Sequence, residues 1–459
     1  MSKRDSWISD WNPEDEKFWE SKGKYIARRN LIFSILAEHL GFSIWLMWSI
    51  VVTKLPAAGF YYTTDQLFQL VALPGLIGSL IRFPYTFAPT TFGGRNWTIF
   101  SAAVLFIPTI ALAYFSVRPE TPFGLMLFVA ALAGLGGGNF ASSMANISFF
   151  YPDRIKGWAL GINAAGGNIG VSTVQLLVPI LMGFGIINLY QATPGTGGVY
   201  IQNAGLMWIV PLALAVFCAY RYMNNLTTAK SSFRDQLVIT KRKHTWVMSW
   251  IYIGTFGSFI GYSAAFPLLI KTQFPAITAS IAFLGPLVGS ISRPIGGIMA
   301  DKIGGAKVTF WNFVLMAMAT IGVIYYVEIK SFPGFLAMFP ALFVLTGIGN
   351  GSTYRMIPSI FRQEKLRTAG AGAEAKAAAL KSATLESASA LGFIGAVGAC
   401  GGYLIPRGFG ASIAATGGPN VALEIFLAFY AICIVMTWWF YLRRSFMAKQ
   451  APSLAEARV

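Results

Sequence analysis

Three arginines, Arg82, Arg293 and Arg355, stand inside long apolar stretches of this 459-residue chain. A guanidinium has no water there to solvate it, so each needs another reason for its position. Arginine stays charged at any accessible pH and offers a planar fork of donors that matches a planar oxyanion, which a lysine cannot do. Two such groups facing one space require an anion between them; the structural alternative is that each snorkels to a headgroup or caps a broken helix. An acid and an imidazole, Glu38 and His39, are adjacent about eight residues into another apolar stretch, which places them off the midplane. At membrane depth those types suggest proton relay, or a hydrogen-bonding pair that holds their helix against a neighbour. Asn168, within Gly-Gly-Asn-Ile-Gly, can donate to an oxyanion where lipid offers an amide no partner. Phe140, and Tyr252 with Phe256 four residues on, read by themselves as core aromatics. The three cysteines, Cys218, Cys400 and Cys433, lie at no metal or disulfide spacing and read as packing residues. No His, Asp or Glu cluster has metal or acid–base spacing, and no Gly-Lys-Ser or Gly-Lys-Thr occurs. We therefore expect no enzyme activity and no cofactor, metal or nucleotide.

The elements that must position these residues follow from composition. The chain is 55% hydrophobic and only 12% charged, against about a quarter charged for a soluble protein. Apolar segments long enough to span a bilayer are predicted over residues 31–52, 67–87, 97–115, 123–151, 158–187 and 204–223. A second six follow at 246–270, 280–300, 308–327, 335–361, 384–406 and 421–441. These leave no room for a sizeable soluble domain. With the first residue in the cytoplasm, 27 of the 35 Lys and Arg fall on the cytoplasmic side and five on the other. The remaining three are the arginines above. This bias predicts that both termini are cytoplasmic, and it assigns the net charge of +17 to membrane orientation rather than to nucleic acid. The first thirty residues are charged throughout and have no apolar signal region. Asn12 before Pro13, Glu14 and Asp15 predicts a helix start, and Trp7, Trp11, Phe18, Trp19 and Tyr25 suit a short helix at the membrane surface.

The halves repeat. Shifting the chain by 211 residues lays Gly78, Ser79, Arg82, Gly93 and Gly94 on Gly289, Ser290, Arg293, Gly304 and Gly305 without a gap. Nearby shifts place Gly134, Gly136 and Gly138 on Gly347, Gly349 and Gly351, and Ala159, Leu160, Gly161, Gly167 and Gly170 on Ala390, Leu391, Gly392, Gly398 and Gly401. The fold class expected is an all-α membrane protein of twelve transmembrane helices in two pseudo-symmetric six-helix halves. Its divisions are an interfacial segment 1–30, a first half 31–223, a cytoplasmic linker 224–245, a second half 246–443 and a tail 444–459. Such a repeat places a transporter's site at the midplane between the halves. The run from Gly297 through Asp301, Lys302 and Gly304 to Gly305 resembles the signature loop of the major facilitator superfamily, where Asp301 and Lys302 hold a cytoplasmic gate.

Further motifs carry a more specific resemblance. Ser-Met-Ala-Asn-Ile-Ser-Phe-Phe from Ser143, Ala-Leu-Gly-Ile-Asn-Ala-Ala-Gly-Gly-Asn-Ile-Gly-Val-Ser from Ala159, Thr-Phe-Gly-Ser-Phe-Ile-Gly from Thr255, Lys-Thr-Gln-Phe-Pro from Lys271 and Gly-Ile-Gly-Asn-Gly-Ser-Thr from Gly347 resemble the nitrate/nitrite porter family of the NarK/NarU type. The similarity runs from Asp10-Trp-Asn-Pro-Glu-Asp15 to the last span. It implies that Arg82 and Arg293 clasp the anion, that Phe140 and Phe256 sandwich its plane, and that Tyr252 and Asn168 add hydrogen bonds. It further implies nitrate and nitrite as substrates, a bacterial cytoplasmic membrane and a complete pathway within each monomer. Two buried positive charges are costly to close around nothing, so a carrier of this kind should exchange nitrate for nitrite. Glu38, His39 and Arg355 depart from the family pattern. The acid and imidazole leave a nitrate/proton symporter as the alternative; Arg355 would either enlarge the positive field of the cavity or pair with Glu38 or Glu386. An organic-phosphate exchanger would also use paired arginines but needs a histidine or lysine at the cavity, and His244 is expected in a loop.

Overall fold

A computed structural model describes residues 6–184, 199–229, 238–370, 372–444, 453–455 and 459. Twelve helices within them are long and apolar enough to cross a membrane. They are α1 (Glu16–Val51), α2 (Thr64–Phe92), α3 (Gly94–Phe115), α4 (Phe123–Phe150), α5 (Asp153–Met182), α6 (Asn203–Tyr222), α7 (Lys243–Gln273), α8 (Ala279–Ile303), α9 (Gly305–Glu328), α10 (Phe332–Thr368), α11 (Ala373–Thr416) and α12 (Asn420–Leu442). Each covers one of the twelve apolar segments. The expected end of the fifth at 185–187, and much of the linker and tail, lie outside the described residues. An even number of spans returns the chain to the face it started from, here termed the terminal face.

The helices begin and bend where the residues dictate. Thr63 opens α2 with a capping box: its hydroxyl accepts from Gln66 N (3.2 Å), and the Gln66 side chain accepts from Thr63 N (2.9 Å). Prolines 74, 84 and 89 lie within α2, which a membrane helix tolerates because neighbouring helices satisfy the freed carbonyls. The Pro74 carbonyl itself accepts from Trp45 Nε1 at 2.7 Å, which ties α2 to α1. Glycine sets the closest approach between the halves. A Cβ on Gly75 of α2 would stand 2.3 Å from the carbonyl of Gly402 in α11, so the two backbones meet with no side chain between them.

The amino-terminal segment departs from expectation. The helix starts at Glu16 rather than near Asn12, capped by the Asp15 carboxylate, which accepts from Lys17 N (2.9 Å) and Phe18 N (3.1 Å). It then runs through a π-helical turn, Trp19–Gly23, into α1. Trp11 and Trp19 are buried in protein rather than laid on lipid, and Trp11 Nε1 donates to Phe149 O at 3.0 Å. Two short strands, β1 (Trp7–Ile8) and β2 (Asn225–Leu226), pair in parallel and tie this segment to the start of the linker. The fold is otherwise helical among the described residues.

Candidate functional site

Two local irregularities position the central side chains. Within α4 the glycine run Gly134–Gly138 tightens into a 3₁₀ helix, and within α7 residues Ile253–Gly257 widen into a π turn. Such departures from α geometry recur at functional sites because they expose carbonyls and re-aim side chains. Both happen here. The Gly137 carbonyl accepts from Arg82 Nε at 2.9 Å. Phe140, just past the first irregularity, and Phe256, inside the second, face each other with ring centroids 5.9 Å apart and planes 21° from parallel.

Arg82, from α2, is wholly buried beside this pair of rings: its guanidinium carbon lies 4.8 Å from the Phe140 centroid and 5.0 Å from that of Phe256. Trp45 of α1 closes a third side at 5.0 Å. Arg82 Nη1 reaches across to Gly395 O of α11 at 3.1 Å, while Nη2 has no partner. Arg293, from the matched position of α8, is 4% exposed. Its guanidinium lies 5.6 Å from the same Phe140 ring and 5.5 Å from Tyr354, and its Nη1 has no partner. Both arginines therefore share one ring and keep an unspent donor each. Aromatic faces attract guanidinium groups but do not neutralise them.

Tyr252 stacks on Phe256 at 5.3 Å, and its hydroxyl donates to Asn350 Oδ1 at 2.8 Å. Asn350 Nδ2 is left without a partner. Asn168 is fully buried with neither end of its amide satisfied, and no hydrogen bond joins it to the arginines. A set of buried N–H donors without acceptors, walled by aromatic rings, is complementary to a small anion and to little else.

The remaining candidates separate. Glu38 is fully buried, accepts from Asn163 Nδ2 at 2.7 Å, and is within electrostatic reach of both Arg82 and Arg293. His39 turns away, its Nδ1 3.0 Å from the Gly166 carbonyl; that nitrogen must carry the proton, since a carbonyl only accepts. The two neighbours thus each bind α5 and do not pair with each other. Arg355 is not a cavity residue. It is exposed near the terminal face, where its Nε donates to Asp301 Oδ1 at 2.5 Å, and Glu386 is occupied by Arg242 and Lys365. Neither carboxylate expected for Arg355 is its partner, because α10 carries it one turn beyond the depth of Asn350. Lys302 is exposed beside Asp301. His244 stands in the first turn of α7 rather than in a loop, its Nδ1 2.9 Å from Tyr441 Oη.

Four residues at the site, Trp45, Asn350, Tyr354 and Asn163, were not singled out by sequence reasoning. The signal was present for two: the 211-residue shift that superposes the arginines also lays Trp45 on Phe256 and Asn139 on Asn350.

Comparison with known proteins bears on the whole chain. Residues 30–373 match the Major Facilitator Superfamily. The chain is 44% identical over 452 residues to the nitrate/nitrite transporter NarU of Escherichia coli K12, covering 96% of this chain and 97% of that protein. It is 35% identical over 459 residues to a probable nitrate/nitrite antiporter, NarK2, of Thermus thermophilus, covering 96% and 98%. Among solved structures it resembles the D-xylose–proton symporter (TM-score 0.58, 15% identity, 89% of this chain and 97% of that one) and a partially occluded, inward-open form of the xylose transporter XylE from E. coli (TM-score 0.60, 12% identity, 89% and 98%). At such identities these two speak for the fold alone. Twelve membrane helices, that fold and the near-full-length similarity place the chain in the nitrate/nitrite porter family, NarK/NarU type, of the major facilitator superfamily.

Proposed function

We propose that this protein carries nitrate and nitrite across a bacterial cytoplasmic membrane by alternating access, exchanging one for the other, with the anion held between Arg82 and Arg293. The observation that carries this reading is the pair of buried guanidiniums from matched helices, each with an unpartnered Nη, against one shared phenyl ring. Nitrate is flat, singly charged and poorly basic, and two planar forks with ring walls suit it better than a tetrahedral phosphate or sulfate. Sandwiching a planar anion between two rings needs roughly 7 Å between their planes, twice a contact distance of about 3.5 Å. The centroids of Phe140 and Phe256 are 5.9 Å apart, so their planes must part by at least about 1 Å to admit it. Tyr252, Asn350 and Asn168 supply further hydrogen bonds. Lysines and arginines concentrated on one side support cytoplasmic termini. On that face Asp301, with Lys302 beside it and Arg355 as its ion-pair partner, forms part of the gate. One chain holds the whole pathway, which supports function as a monomer.

An anion neutralises guanidiniums that would otherwise be sealed together as like charges, so the loaded carrier closes more readily than the empty one. In liposomes preloaded with nitrite, nitrate should enter as nitrite leaves. Arg82→Lys and Arg293→Lys should each abolish this despite keeping the charge, because a lysine ammonium cannot reproduce the forked geometry. Wild-type exchange in either variant would remove the assignment.

A further inference from the structure

On the second half an ion pair fixes the turn between α8 and α9: Asp301, just before it, meets Arg355 of α10. The 211-residue repeat puts Thr90 and Thr91 of the first half in the places of Asp301 and Lys302, and α4, the counterpart of α10, contains no arginine or lysine. Both threonine hydroxyls donate to Phe87 O of their own helix, at 2.8 and 3.1 Å. The α2–α3 turn therefore lacks that ion pair, although it takes the same form. Gly93 has φ +88° and Gly304, its match, +96°, a region that favours glycine.

The amino-terminal segment makes the missing connection. Trp7 packs on Gly93, where an added Cβ would meet its ring at 2.9 Å, and Trp11, four residues on, donates to Phe149 O at the end of α4. Two indoles thus bridge the turn to α4 where Asp301 and Arg355 bridge the other turn to α10. The strand pair brings Asn225 to the same place. Asn225 N donates to Ser6 O at 2.7 Å and Thr227 N to Ile8 O at 3.0 Å, while the fully buried Asn225 side chain accepts through Oδ1 from Arg95 N (2.9 Å) and Asn96 N (3.3 Å), capping α3. The same repeat lays Arg95 on Ala306, whose N donates to Val459 O at 2.9 Å. In each half, then, the chain beyond the sixth helix returns to the amide that follows the Gly-Gly pair, one of the donors a helix start leaves unsatisfied. The segment also reaches α5, where Glu14 Oε1 accepts from Asp153 N at 2.9 Å. Among the described residues no hydrogen bond or ion pair joins residues 6–15 to the second half.

We propose that the amino-terminal segment is a strap that takes, on the first half, the place of the Asp301–Arg355 pair: with Asn225 it locks the α2–α3 turn to α4 and α5, so that this half turns as one body when the carrier alternates. The proposal rests on the alternating-access reading above. Arg82 stands eleven residues before Gly93 on α2, about 16 Å along the helix. A held turn transmits displacement of the terminal face to the anion site, whereas a loose one absorbs it. Because every bond of the strap lies within one half, it stays docked throughout the cycle.

The test combines nitrate uptake into nitrite-loaded liposomes by purified full-length protein with hydrogen–deuterium exchange in detergent. Asn225→Ala removes the acceptor. The Arg95 and Asn96 amides should then take up deuterium about fivefold faster, the worth of one helix cap. The maximum rate of nitrate uptake should fall while the half-saturating nitrate concentration stays the same. Asn225→Asp keeps an accepting oxygen and sacrifices no bond, since Asn225 Nδ2 has no partner, so it should restore both readouts. A disulfide joining Ile8→Cys to Leu226→Cys, whose Cα atoms are partners in the strand pair, should leave transport as fast as in the reduced protein. Loss of transport on oxidation, reversed by reductant, would mean that the strap must leave during the cycle and overturns the proposal. Unchanged transport in Asn225→Ala overturns it too, as does a joint fall in rate and nitrate affinity that Asn225→Asp does not restore, the mark of general damage to the fold. Absence of both transport and nitrate binding in the wild-type protein overturns the anion reading and this proposal with it.

Discussion

Buried charge at Arg82 and Arg293 is tolerable because aromatic faces engage both guanidiniums and two carbonyls, of Gly137 and Gly395, hold that of Arg82, leaving an unpartnered Nη on each for a guest. The same logic applies to the neutral partners. The Tyr252 hydroxyl holds Asn350 by its oxygen and leaves the buried amide nitrogen free. Tyr252→Phe deletes that hydroxyl and leaves Asn350 Oδ1 buried and unpaired, at a cost of about 1–3 kcal/mol. We expect nitrate affinity to fall about tenfold, read by titration, with the fold intact. Unchanged affinity would show that Asn350 needs no such orientation. Arg355 and Asp301 illustrate the opposite case, an ion pair with both side chains about half exposed, whose contribution to stability is at most about 1 kcal/mol.

The helices owe their precision to glycine and to two breaks in regular geometry. The 3₁₀ run Gly134–Gly138 lets α4 approach α1 and α2 and presents Gly137 O to Arg82. A Cβ on Gly136 would stand 2.2 Å from the Gly41 carbonyl, a backbone atom that no rotamer change can move aside. Gly136→Ala should therefore destabilise the protein by on the order of 1–3 kcal/mol. A lowered melting temperature in detergent, together with reduced nitrate binding as Arg82 loses its carbonyl, is the expected result. A variant that melts and binds like wild type would show that the α1–α4 contact yields freely. These breaks escape a reading of residue types, since a glycine run is compatible with straight helix packing; only the path of α4 and α7 reveals them.

Across the whole molecule the two halves are joined on the face opposite the termini. Gly75 meets Gly402 there, Gln175 Nε2 donates to Ser263 O at 2.7 Å, and Asp65 of α2 pairs with Arg407 of α11 at 2.8 Å. Alternating access requires this seam to part. The Asp65–Arg407 pair is about a third exposed on each side, so it contributes at most about 1 kcal/mol to the closed seam. Arg407→Ala should shift the equilibrium towards opening on that face by up to about fivefold. Thiol labelling of a reporter cysteine placed in the cavity would measure it. Labelling at the wild-type rate would mean that the backbone contacts alone hold the seam. High salt should mimic the variant, since screening acts on exposed pairs.

The twelve spans and the repeat that pairs Arg82 with Arg293 were legible in the sequence. Lipid leaves a chain few choices: runs of about twenty apolar residues must cross, and charges within them are conspicuous. Family resemblance added Phe140, Phe256, Tyr252 and Asn168 to the candidates, which residue types alone assign to the core. Tertiary structure decided which way each helix is turned. Glu38 and His39 are adjacent in sequence, yet α-helical geometry sends them in directions about 100° apart, one towards the arginines and the other to the Gly166 carbonyl. Arg355 looked intramembrane because its flanks are apolar; the length of α10 carries it out to Asp301. Trp11 and Trp19 looked interfacial, and packing buried them against α4 and its end. Hydropathy is a property of segments, whereas helix rotation and partner choice depend on packing between segments distant in sequence, and that information exists only in the folded chain.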